Sequence, residues 1–130
     1  MRTIILALLL SGCAGVGSAP PGPLLGQWGG THIGLTLDPG GGRIDYDCAA
    51  GGIAEPLIPR LDGSFAVAGT HTPGHGGPDR AGEIMPTYAT QFTGDVRGDR
   101  MTLTGRVENG VLLGPFTLTR GAEAGIFRCL

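Results

Sequence analysis

Residues 88–118 read YATQFTGDVRGDRMTLTGRVENGVLLGPFTL, and this stretch decides the fold because its apolar residues recur with a period of two. Tyr88, Thr90, Phe92, Gly94 and Val96 share one face opposite Ala89, Gln91, Thr93 and Asp95. Met101, Leu103, Gly105 and Val107 form a second such face, and Leu112, Gly114, Phe116 and Leu118 a third. The alternation breaks only at Gly98-Asp99 and Asn109-Gly110. Asn-Gly supplies the two positive φ angles of a type I′ hairpin turn, so the stretch predicts three antiparallel strands in direct succession.

The same grammar extends toward the N-terminus. Gly26-Gln27-Trp28-Gly29-Gly30 opens the domain, and Ile33, Leu35 and Leu37 then alternate with Gly34 and Thr36 in a first strand, which Asp38-Pro39-Gly40-Gly41-Gly42 ends. A second covers Arg43–Cys48, with Ile44, Tyr46 and Cys48 on one face and Arg43, Asp45 and Asp47 on the other; a turn is expected over Ala49–Gly52. A third, near Ile53–Ile58, contains Pro56, so its ladder must be broken or lie at an edge. Asp62-Gly63 leads into a fourth strand with Phe65 and Val67 on one face, Thr70–Pro86 shows no sustained alternation, and Ile126–Leu130 reads as a terminal strand.

No window has helical periodicity. The fold expected is all-β: an antiparallel up-and-down meander of about eight strands closed into a small barrel, which leaves no open sheet edge. A two-sheet β-sandwich is the alternative. Inward glycines Gly94, Gly105 and Gly114 would let the sheet coil tightly. Of the 26 glycines, nine stand in pairs or a triplet, at 29–30, 40–42, 51–52 and 76–77, and the glycines form neither a fibrous repeat nor a long tract. With a net charge of −2 and nine unclustered basic residues, all arginine, the chain lacks the basic patch a nucleic-acid binder needs.

At the start of the chain Met1-Arg2 precedes an apolar run, Ile4–Leu10, which ends in Leu10-Ser11-Gly12-Cys13. The run is shorter than the about 20 residues needed to cross a bilayer and has the layout of a secretory signal. Leu10-Ser11-Gly12-Cys13 closely resembles the lipobox of bacterial lipoproteins. The resemblance implies cleavage before Cys13, lipidation of its thiol and acylation of the new amino terminus, with the membrane as a partner through the anchor. Each buried methylene contributes roughly 0.8 kcal/mol, so two or more chains hold firmly. In that family Asp after the cysteine usually marks the inner membrane; Ala14 here points to the periplasmic face of the outer membrane. The alternative is an ordinary signal cleaved near Ala19. The expected organisation is a signal over 1–12, a lipidated cysteine and Gly/Pro/Ser-rich tether over 13–24, and a barrel domain over 25–130.

Cys48 and Cys129 are the cysteines left once Cys13 is lipidated, and an exported chain with such a pair is expected to bridge them. The closed loop of about 82 residues corresponds to at most roughly 4.5 kcal/mol of loop entropy. Gly26-Gln27-Trp28 resembles the Gly-x-Trp of lipocalins and their calycin relatives. That resemblance, confined to three residues, implies that Trp28 closes one barrel end under Arg120 or Arg128 through a cation–π contact. It also implies room for a small apolar ligand.

His71, His75, Asp79 and Glu83 concentrate ligand-type side chains in one long connection and form a candidate metal set, though their spacing matches no zinc pattern. His32 is expected to be exposed. Asp45 and Asp47 project together from the outer face of their strand, where carboxylates are solvated, and Arg97-Gly98-Asp99 is what a hairpin turn asks for at that point. No catalytic constellation and no cofactor is expected. The function this supports is a non-enzymatic binding or interaction module on the cell envelope, with another envelope protein as partner. A carrier of a small apolar ligand and a metal-binding protein are the alternatives.

Overall fold

A computed structural model describes residues 22–74, 81–82, 84–127 and 129. Eight strands close into one antiparallel up-and-down barrel: β1 (Gly26–Gly30), β2 (Ile33–Asp38), β3 (Gly41–Tyr46), β4 (Ala49–Ile53), β5 (Ser64–Pro73), β6 (Tyr88–Arg97), β7 (Arg100–Val107) and β8 (Leu112–Arg120). Each pairs with its neighbours in sequence, and β1 pairs with β8 through Trp28↔Arg120 and Gly29↔Thr119. The barrel, and not the sandwich, is the fold.

Several elements differ in their bounds from the sequence reading. Gly26–Gly30 is a full strand, paired along its length with Leu37–Ile33; glycine hides the alternation that would have marked it. Ala49–Gly52, expected as a turn, belongs to β4, and the ladder stops at Ile53, before Pro56. Beyond it Glu55 Oε1 accepts the Ala68 N–H at 2.9 Å, so a side chain replaces the missing backbone partner. β5 runs on to Pro73, taking Thr70–Pro73 out of the expected connection.

Of the expected terminal strand, the described residues Ile126, Phe127 and Cys129 belong to no strand and form part of a tail outside the barrel. Gly121 N–H donates to Gln27 O (2.7 Å) and Gly125 N–H to Gly30 O (3.0 Å), while His32 N–H donates to Gly125 O (2.9 Å). The outer face of β1 and β2 admits the tail because cross-strand partners Gly29 and Gly34 present no side chains. A Cβ on Gly34 would lie 2.6 Å from that of Ala124. With β1 already paired to β8, the tail finds no free edge to join as a strand.

In β8 the inward phase changes. Leu103 faces Phe116 but Gly105 faces Leu113, so β8 carries an extra residue at this bulge, where Gly114 has φ 82°. Leu113, Phe116 and Leu118 therefore pack toward the core and Leu112 stands 61% exposed, which corrects the expected Leu112/Gly114/Phe116/Leu118 face.

The interior is filled. Trp28, Ile33, Leu35, Ile44, Phe92, Met101, Leu103 and Leu118 are essentially inaccessible to solvent. Inward glycines make room for rings: a Cβ on Gly105 would lie 2.9 Å from the Phe92 ring, one on Gly69 2.7 Å from it, and one on Gly94 2.8 Å from Phe65 Cζ. Small positions opposite large ones give the interior its close packing.

The up-and-down order places the β2–β3, β4–β5 and β6–β7 connections at one end and the β1–β2, β3–β4, β5–β6 and β7–β8 connections at the other. At the first, sealed end the β4–β5 connection contributes Leu57, fully buried in the core. Leu24, assigned to the tether by sequence, packs against this core, and its N–H donates to Leu57 O at 2.8 Å. The guanidinium of Arg120 lies 4.5 Å above the Trp28 ring. Arg120 thus occupies the place expected for a late-strand arginine; Arg128 lies outside the described residues.

Candidate functional site

The opposite end, the mouth, is open. A cavity of about 460 Å3 there is lined by the end of β3, the start of β4, the end of β5 and the start of β8. Its size falls within the about 300–1,000 Å3 of small-molecule sites. Apolar walls come from Ala49, Pro73, Leu113 and Phe116, and polar side chains from Tyr46, His71, His32 and Asp47.

Tyr46 and His71 reach the cavity because each occupies the inward phase of its strand. Ile44 and Tyr46 alternate inward on β3; Phe65, Val67, Gly69 and His71 do so on β5. The Tyr46 ring meets His71 edge-on at 5.6 Å and Phe116 at 5.7 Å between centroids. The phenol lies against Gly51 on β4.

Both residues are more than nine-tenths buried, and neither the Tyr46 hydroxyl nor His71 Nδ1 has a hydrogen-bond partner among the described residues. Nearly all buried polar groups in proteins are partnered, so two orphans on one cavity call for an explanation. Burial pushes the Tyr46 phenol well above its ordinary pKa and holds the His71 imidazole below its own. Each effect disfavours the charged form. At neutral pH both side chains are neutral.

A latch stands at the rim. His32, in the β1–β2 turn with φ 69°, meets Asp47 Oδ2 through its Nδ1. Asp47 Oδ1 accepts the N–H of Phe127 at 2.6 Å, and the Phe127 ring lies 5.5 Å from that of His32. Next to it Cys48 and Cys129 come together as a pair, with Cα atoms 4.9 Å apart. That separation suits a disulfide. Cys48 sits in the β3–β4 turn with φ 54° and Cys129 in the tail, so neither has the strand position expected of it. Together these contacts pin the tail to the mouth.

Other candidates are distributed differently. His71 is not in a loop but on β5, facing Tyr46; His75, Asp79 and Glu83 lie outside the described residues, as does Cys13. Among the described residues no group of three His, Cys, Asp or Glu side chains could hold a metal. Asp45 turns to Arg43 at 3.1 Å on the outside, whereas Asp47 serves the latch, so the two carboxylates do not act together. Gly98-Asp99 forms the β6–β7 turn, with Gly98 at φ 59° and Asp99 3.5 Å from Arg120. A larger hollow of about 700 Å3 on the outer wall, beside Ala68, Gln91 and Arg106, carries none of the orphaned polar atoms.

Sequence reasoning missed Tyr46 as a polar group and treated His32 as merely exposed. The signal for His71 was present: the alternation Phe65, Val67, Gly69 continues to it without a break. No family model matches the chain, and neither a curated protein nor a solved structure matches it.

Proposed function

We propose that this chain is a lipoprotein of the bacterial cell envelope, anchored through Cys13, whose barrel is a binding module working through its mouth and not an enzyme. The observation that carries the reading is the contrast between a filled interior and an open mouth cavity lined by Tyr46 and His71. A rigid scaffold with its recognition elements at one end is a common layout for binding proteins. The rim adds exposed apolar side chains, Val111, Leu112 and Phe127, suited to contact with a second envelope protein. Trp28 beneath Arg120 agrees with what the calycin resemblance implies. The packed interior directs binding to the mouth and away from a deep central cavity.

Photo-crosslinking in cells tests this. A photoreactive residue replacing Leu112, at the mouth, should capture a protein adduct, whereas one replacing Leu61, 88% exposed at the sealed end, should not. Equal capture at both ends, or capture at Leu61 alone, would refute the mouth as the working end. Separately, Cys13→Ala should move the chain from the membrane fraction to the soluble fraction; retention in the membrane would refute the lipid anchor.

A further inference from the structure

We propose that the sealed end is a membrane-docking face: Leu25, Ile58 and Leu61 enter the interfacial region of the bilayer that holds the Cys13 anchor, and the mouth points away from it. The inference rests on the reading of the chain as lipid-anchored and adds how the barrel stands on its membrane.

Leu61 is 88% exposed, Ile58 48% and Leu25 47%. The three belong to one stretch of surface: Ile58 and Leu61 lie in the β4–β5 connection, and Leu24, beside Leu25, donates its N–H to the carbonyl of Leu57, beside Ile58. The connection that presents them is held in place. Leu57 is buried in the core, Glu55 Oε1 takes the Ala68 N–H, Arg60 N–H donates to Ser64 O at 2.8 Å, and Gly63 N–H donates to Arg60 O at 2.8 Å. Ile58 and Leu61 thus project from a fixed platform, and covering them costs little ordering of the backbone.

Exposed apolar side chains also stand at the mouth, so exposure alone does not choose the occupant. The anchor does. Cys13 lies eleven residues before Leu24, and at no more than about 3.6 Å per residue this segment reaches at most about 40 Å. Leu24 is fixed at the sealed end, which is therefore the part of the barrel nearest the lipid. The ten residues of β5, at about 3.3 Å each and tilted by about 40°, make the barrel roughly 25 Å tall. Turning the mouth to the membrane would use most of the segment's reach. So short a tether also keeps the face at a high effective concentration beside the bilayer, and a contact of three side chains, too weak to hold a membrane alone, then suffices to fix the orientation. Charge contributes little: Arg97 pairs with Asp95 and Arg120 with Asp99, while Arg60 and Asp62 share the Ser64 hydroxyl. The face fits a lipid surface through its apolar side chains and needs no particular headgroup charge.

The test uses the full-length chain purified from membranes and reconstituted in vesicles of zwitterionic phosphatidylcholine, with an apolar nitroxide label on Leu61→Cys or, for comparison, on Leu112→Cys. Collision with a water-soluble nickel chelate should be at least about threefold lower at the Leu61 label than at the Leu112 label, because apolar groups that dock on a bilayer sit roughly 5–10 Å into the headgroup and acyl boundary. Adding Ile58→Ser should raise the nickel collision at the Leu61 label at least about twofold, while the melting temperature in detergent stays level because the side chain lies at the surface. Equal collision at the two labels, or no effect of Ile58→Ser, in chains that float with the vesicles overturns the docking and leaves the anchor standing; a chain that does not float overturns both. Dipolar broadening between Leu61 labels that vanishes on dilution with unlabelled chain would give the face to a second copy. A protein adduct from the photoreactive residue at Leu61 would give it to a protein partner. Either result overturns the proposal.

Discussion

The two ends of the barrel solve the same problem in opposite ways. Each must finish an apolar column at water. The sealed end does it with large side chains packed to completion: Trp28 and Leu57 are inaccessible, and the exposed Arg120 lies over the indole. The mouth ends in Tyr46 and His71, aromatic bodies with polar tips, and stops short of filling the space in front of them. Packing that runs to completion serves stability; packing left unfinished around buried polar atoms lowers it and leaves a site. The difference assigns a task to each end.

Removing an anchor at each end is the strongest way to break that comparison. Trp28→Ala should destabilise by about 3–5 kcal/mol, the range for truncating a fully buried large aromatic. Phe116→Ala, at a half-buried position beside the cavity, should cost distinctly less. Urea midpoints measure both, and equal losses would mean that the two ends are packed alike. Next in size is the staple. Replacing Cys48 and Cys129 by Ser should cost about 2–4 kcal/mol. The accompanying rise in amide hydrogen exchange should appear in the β3–β4 turn and the tail, with Arg120 and its neighbours unaffected. Exchange that rises evenly at both ends would sever the link between the staple and the mouth.

The smallest effect is one of pH. Burial lowers the His71 pKa in the folded barrel relative to the unfolded chain. Above the ordinary histidine value of about 6.5 both states are neutral and the contribution is complete. As pH falls below that value, the unfolded chain takes up a proton that the folded one resists, so stability declines until the depressed folded pKa is passed. His71→Phe should flatten this part of the curve, as read from urea midpoints between pH 7 and 5. A slope unchanged by the substitution would place its origin elsewhere.

What could be read in advance follows the visibility of alternation. From Tyr88 to Val107 every inward residue predicted by the period of two faces inward, because large apolar and polar side chains take turns there. Gly26–Gly30 and Ala49–Gly52 were opaque for a physical reason: glycine and alanine can lie in a ladder without announcing which face they show. In β8 the alternation was legible but misleading, since an inserted residue reverses the phase between Leu113 and Phe116. The tail was misread because Ile126 and Phe127 have strand-like character, and local preference cannot report that β1 and β8 have already closed the sheet. Tyr46 and His71 were each visible as inward positions; their meeting depends on register across β3, β4 and β5, which one sequence does not display.

The path of the tail gives the molecule a directional plug-and-socket wiring. Whatever precedes Gly26 leaves from the sealed end, where Leu24 is held to Leu57, and whatever follows Cys129 emerges beside the mouth. An affinity tag or fluorescent protein appended downstream would stand in the doorway, whereas one attached upstream would leave it clear. The same wiring suits immobilisation on a sensor chip: coupled through its amino-terminal side, every copy presents its cavity outward to the flowing sample.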